Sequence, residues 1–243
     1  MRLAVINPNA TASMSRSIAA AAGAAAAPDA EIVTLTNRAG PPSIQGVVDA
    51  AYAVPGLLGL IQAHEDVDAF VIACFDDTGL DAARSVAARP VVGIGEAACQ
   101  VAKLIACRFS IITTLQRSVP VLRGNLEMRG LERSCASVLA TGVPVLALEN
   151  ATKAVLAGID AAVRQAIERD GAEAIVLGCA GMAPLAQSLS SKFDIPVVDG
   201  VASAVGLAST LVRMRLNTSR RGFYSGQRAS PTGMPKTPRR QLS

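Results

Sequence analysis

The chain states one pattern twice, and that repetition limits its possible folds more than any other feature. "RLAVIN" (2–7) aligns with "RFSIIT" (108–113) at an offset of 106, setting Asn7 against Thr113. "AFVIAC" (69–74) aligns with "AIVLGC" (174–179) at 105, setting Cys74 against Cys179. "RPVVGIGEAA" aligns with "IPVVDGVASA" and sets Pro90 against Pro196, again at 106. Three matches at a nearly constant offset imply two similar units, residues 1–100 and 101–200, related by a pseudo-dyad.

Each unit reads as α/β. Apolar, β-branched runs at 2–6, 31–35, 69–73, 90–94, 108–112, 144–148 ("PVLAL"), 174–178 and 196–200 read as strands. Helical stretches such as 47–63, 116–129 and 153–170 separate them. Continuous apolar strands alternating with helices imply parallel sheets covered on both faces. The expected architecture is two pseudo-symmetric Rossmann-like lobes whose sheets face a shared cleft. A last helix, 201–216, is expected to cross back and complete the first lobe. Open parallel sheets bind ligands beyond the carboxyl ends of their strands. Cys74 and Cys179 both fall at such ends, so the two thiols are expected to approach one cleft from opposite sides.

Composition narrows the setting. Apolar residues make up 51% and charged residues 17%, which excludes disorder along the whole chain. No run reaches the roughly 18 uncharged apolar residues that a membrane helix needs. "SIAAAAGAAAAPDA" (17–30) imitates a signal-peptide core, but it follows a strand and a turn and reads as a helix packed on a sheet. Five cysteines with no CxxC argue for reduced thiols and a cytoplasmic protein. Residues 217–243 carry six basic residues and no acid, so the net charge of +4 hides a body at −2. This tail is rich in Ser, Gly, Thr and Pro and is expected to be disordered. It has no motif for nucleic acid or membrane, and neither is expected as a partner.

Most familiar chemistries lack their parts. His64 is the one histidine and lies near a helix end; with no close cysteine pair, no metal site is expected. GxSxG, the P-loop and a full GxGxxG are absent. Cys99, Cys107 and Cys135 read as inert small apolar residues. Cys74 and Cys179 read as catalytic: a thiol at a helix N-terminus is expected to have a lowered pKa. Asp76 and Asp77 would oppose that if they pointed inward, and are expected to cap the following helix instead. Opposed thiols suit proton transfer at carbon, one removing a proton and the other returning one to the opposite face. The carbanion needs donors for a neighbouring carbonyl. Asn7, Thr113, Thr114 and the N–H groups of Ala180 and Gly181 are the candidates.

"INPNAT" (6–11), "GPPSI" (40–44), "CFDDTGLDAAR" (74–84), "ITTLQRSVP" (112–120) and "LGCAGM" (177–182), in that order, resemble the hydantoin/allantoin racemase branch of the aspartate/glutamate racemase superfamily. The resemblance spans roughly residues 2 to 212. It implies a cofactor-independent, homo-oligomeric enzyme acting on a small molecule, with paired cysteines at Cys74 and Cys179. It also implies racemisation at C5 of a 5-substituted hydantoin or of allantoin, and adds Ser43 and Ile44 to the substrate-binding candidates. Amino-acid racemases of the superfamily have a Thr-His pair where this chain has Ala180-Gly181, and "DDT" stands where the branch commonly has "GDP". A related carbon-acid enzyme (amino-acid racemase, decarboxylase or cis–trans isomerase) is the nearest alternative; a decarboxylase typically needs only one of the cysteines. A non-catalytic small-molecule binder is the other alternative, but it would not require two thiols.

Overall fold

The computed structural model describes residues 1–150 and 152–225. The first half runs β1 (Arg2–Asn7), α1 (Ala12–Ala25), β2 (Glu31–Thr36), α2 (Val47–Ala63), β3 (Ala69–Ile72), α3 (Leu80–Val86), β4 (Val91–Gly93) and α4 (Ile94–Ile105). The second repeats the order as β5 (Phe109–Thr113), α5 (Val119–Met128), β6 (Cys135–Ala140), α6 (Lys153–Glu168), β7 (Ala174–Gly178), α7 (Ala186–Phe193), β8 (Val197–Val198) and α8 (Gly200–Arg213). The sheets are ordered β2-β1-β3-β4 and β6-β5-β7-β8, and every pairing is parallel.

The strands are apolar throughout because both faces of each sheet are covered. Side chains alternate along a strand, so Leu3, Val5 and Val71 join a core between the lobes, while Ala4, Ile6, Phe70 and Ile72 pack beneath α2 and α3. In the second sheet Phe109, Ile111 and Val176 enter the same central core, and Ile112, Ile175 and Leu177 pack beneath α6 and α7.

The last helix of each half crosses to the other. α4 packs on β7 and β5 of the second sheet; α8 packs on β3, β4 and β1 of the first, and against α1. α8 thus returns to the first sheet, and α4 makes the matching crossing. α4 and α8 meet closely at Gly200, where a Cβ would lie 2.8 Å from the Ile94 carbonyl oxygen. Only glycine fits that approach. Among the described residues, no helix is long and apolar enough to cross a membrane.

Two expectations are corrected. "PVLAL" is not a strand: Val145–Asn150 forms a 3₁₀ turn, and the second sheet's edge strand is Cys135–Ala140. Val145 and Leu148 are both buried, and their spacing of three suits a 3₁₀ turn. The tail expected to be disordered from residue 217 is ordered at its start. Arg220 donates to the carbonyls of Arg84, Ser85 and Ala87 at the end of α3. The Tyr224 hydroxyl donates to Asp81 at 2.9 Å and accepts from Arg129 at 3.3 Å. These contacts give residues 217–225 a surface to dock on that composition does not reveal; residues 226–243 lie outside the described residues.

Candidate active site

In each sheet the chain turns left from its first strand and right from its third, so a crevice opens between their carboxyl ends. β1 and β3 end in Asn7 and Ile72 with Cys74 just beyond; β5 and β7 end in Thr113 and Gly178, with Cys179 next. The crevices join in one cleft whose wall includes both Cys74 and Cys179. Ile44, Thr114 and Ala180 share that wall.

The other sequence candidates lie behind or beside it. Asn7 is fully buried, its amide within 3.0 Å of Asn9 Oδ1 and of Ser15 Oγ. As the last residue of β1 it is held inside the fold and braces the loop that follows. Thr113 is likewise buried and donates to the Gly178 carbonyl at 3.3 Å, tying β5 to β7. Ser43 accepts from Gln45 Nε2 at 2.7 Å. Gly181 borders an adjoining recess with Leu148. A Cβ on Gly181 would lie 3.7 Å from Cys179 Sγ.

Sequence reading did not place Asn9, Asp76 or Ser118 on the cleft, yet they supply the remaining polar side chains of its wall. Each lies two to four residues past a residue that was noticed: Asn7, Cys74 and Thr114. A strand's last side chain is committed to the sheet, so the loop just beyond it reaches the cleft. Asn9 Oδ1 accepts from Asn7 and from the Thr11 N–H, while Asn9 Nδ2 meets only the Met14 sulfur, at 3.5 Å. That amide is a donor available to a ligand carbonyl.

The electrostatics differ from expectation. Burial pushes the Cys74 thiol up to about 12, and the Asp76 carboxylate adds to the rise, while the Thr78 hydroxyl at 3.5 Å opposes it. Burial likewise pushes Cys179 up to about 11; the Gly181 N–H opposes the shift and Asp76 adds to it. Lowered thiols were expected from helix N-termini. Only Cys179 opens a helical turn, the short 3₁₀ segment Ala180–Leu185, whereas α3 does not begin until Leu80.

The two aspartates are corrected as well, since neither caps α3. Asp76 faces the cleft, accepting from Ser118 Oγ at 3.3 Å, and burial raises it to about 6. Asp77 turns away with φ +51° and accepts from the N–H groups of Gly95 (3.0 Å) and Glu96 (2.7 Å) at the start of α4. Burial raises its carboxyl to about 7 despite those two bonds.

Two like parallel-sheet lobes enclose one cleft and contribute a thiol each. Residues 3–208 match the Asp/Glu/Hydantoin racemase family, and the chain belongs to it. It is 45% identical over 231 residues to a hydantoin racemase of Rhizobium meliloti, covering 93% of this chain and 94% of that one. A hydantoin racemase of Pseudomonas sp. strain NS671 is 40% identical over 226 residues, with coverage of 92% and 91%. The solved structure of an allantoin racemase from Klebsiella pneumoniae superposes with a TM-score of 0.91 at 44% identity, covering 95% of each chain.

Proposed function

We propose that this protein racemises hydantoins at ring C5, with a 5-substituted hydantoin or allantoin as substrate, by proton transfer between Cys74 and Cys179 and without a cofactor. The observation that carries this reading is the presence of both thiols on one cleft wall, each after the third strand of its sheet. The ring would lie between them with C5 facing both. One thiol, ionised, removes the C5 proton; the other, protonated, delivers a proton to the opposite face. The intermediate is an enolate on the adjacent ring carbonyl, and the Asn9 amide and Thr114 hydroxyl are the donors nearest to hand for its oxygen. Burial, which raises both thiols, favours their protonated form, so ionisation of one is part of the work of turnover.

The test uses single enantiomers of allantoin and of several 5-substituted hydantoins, followed by polarimetry in D₂O. Wild type should abolish rotation in at least one of them. Cys74→Ser and Cys179→Ser should each lose racemisation by roughly 10³-fold or more, because a serine hydroxyl is too weak an acid–base to replace the thiol. Each variant should still exchange the C5 hydrogen of one enantiomer, without inversion, and the two should prefer opposite enantiomers. Spontaneous exchange is subtracted. Exchange of the same enantiomer by both variants would refute the two-face mechanism. The family resemblance also leads us to propose a homo-oligomer, which light scattering on the full chain would test.

A further inference from the structure

Among the side chains on the cleft wall, Asp76 is the one that carries a formal charge at neutral pH. It is also the wall's only side chain whose oxygens accept without a donor beside them: Asn9, Thr114 and Ser118 all carry donors. Its backbone is fixed, since Asn125 Nδ2 donates to the Asp76 carbonyl at 2.9 Å, and Ser118 steadies the carboxylate. Among the described residues no Lys, Arg or His forms an ion pair with it. A half-buried carboxylate with one hydroxyl partner has acceptor capacity left over, and leaving it unused in a closed site is unfavourable.

Resting on the proposed hydantoin chemistry, we infer that Asp76 selects the C5 substituent, favouring a ureido group, whose N–H donors it accepts, over alkyl or anionic substituents. A ureido group presents two N–H bonds pointing the same way, from its inner and its terminal nitrogen. They match the two oxygens of one carboxylate as the fork of a guanidinium does. An alkyl substituent leaves Asp76 desolvated and unpaired, and a carboxymethyl substituent brings a second negative charge against it. Sites built to hydrogen-bond a substrate group reject analogues lacking it far more strongly than apolar pockets reject a missing methylene. The hydantoin ring's own N–H groups are common to all these compounds, so they cannot produce a preference among them.

The experiment measures kcat/KM for allantoin, 5-isopropylhydantoin and hydantoin-5-acetate with wild type, Asp76→Asn and Asp76→Ala, each checked for folding by circular dichroism. Removing Asp76 also relieves the thiols of its field, which changes turnover of every substrate together, so the ratio of allantoin to 5-isopropylhydantoin is the readout. Wild type should rank allantoin first. The ratio should fall by roughly tenfold or more in Asp76→Ala, the scale of hydrogen bonds to a charged group, while hydantoin-5-acetate gains relative to 5-isopropylhydantoin. A smaller fall, or a wild type that ranks either other compound above allantoin, overturns the inference; the second result needs no variant. If wild type turns over none of the three or any other hydantoin, the proposed function itself fails and this inference with it. Activity whose ratio ignores Asp76 overturns only the inference.

Discussion

Asp76 and Asp77 are neighbours in the chain and serve different parts of the molecule: one faces the cleft, the other caps a helix. The cleft-facing acid is held against its own stability. Its folded pKa of about 6 lies above the ordinary aspartate value, and burial is the cause. The folded state therefore binds that proton more tightly than the unfolded state, and stability falls as pH rises through that interval, staying reduced above it. Asp76→Asn should raise stability by about 1–3 kcal/mol at pH 8 and leave it unchanged near pH 4, measured by denaturant melts. An equal gain at both pH values would show that charge is not the reason. The thiols give a second expectation at this scale. With burial raising Cys74 and Cys179 to about 12 and about 11, the thiolate fraction grows about tenfold per pH unit below those values. Log kcat/KM should climb without a plateau between about pH 7 and 9; a flat profile there would mean that a thiolate already exists in the free enzyme.

At the scale of elements, the two halves solve one capping problem in different ways. Asp199 caps α8 from within its own segment, accepting from Val201 (3.1 Å) and Ala202 (2.9 Å). The equivalent position before α4 is Gly93, which has no side chain, so Asp77 reaches across from the Cys74 loop to do that work. A Cβ on Gly93 would stand 2.1 Å from Asp77 Oδ1, so the glycine makes room for the borrowed cap. Gly93→Ala should destabilise the fold by about 1–3 kcal/mol, read from denaturant melts, and lower kcat by shifting the loop that carries Cys74 and Asp76. Wild-type stability and turnover in this variant would uncouple the cap from the site. This borrowed cap also shows where sequence reading stopped. Strands buried on both faces were legible as continuous apolar runs, as in 69–73 and 174–178, and the repeat located both thiols. The edge strand Cys135–Ala140 was not legible, because it is only half buried and carries Ser137, which meets Ser110 across the pairing at 2.9 Å. Asn9, Asp76 and Ser118 were not placed on the cleft because loop direction depends on packing between elements, which no local pattern records.

Across the whole molecule, the start of the tail belongs to the fold. Tyr224 meets Asp81 and Arg129, and Arg220 covers the last carbonyls of α3. A chain ending at residue 225 keeps these contacts. One ending at 216 should melt roughly 4–8 °C lower, as expected for loss of about 2 kcal/mol in a domain of this size. Identical midpoints for the two truncations would mean that the segment only rests on α3. The larger consequence belongs to the crossing of α4 and α8. Each half lends its final helix to the other, the way two identical subunits trade an arm, so the molecule is built like a dimer joined end to end. Identical subunits would have to carry every wall residue twice. Joined in one chain, the halves are free to differ. At the 105-residue offset that relates Cys74 to Cys179, Asp76 on one side answers to Gly181 on the other. On the proposed chemistry, the frame keeps its symmetry where two faces of a carbon must be served alike, and gives it up where a substituent must be told apart.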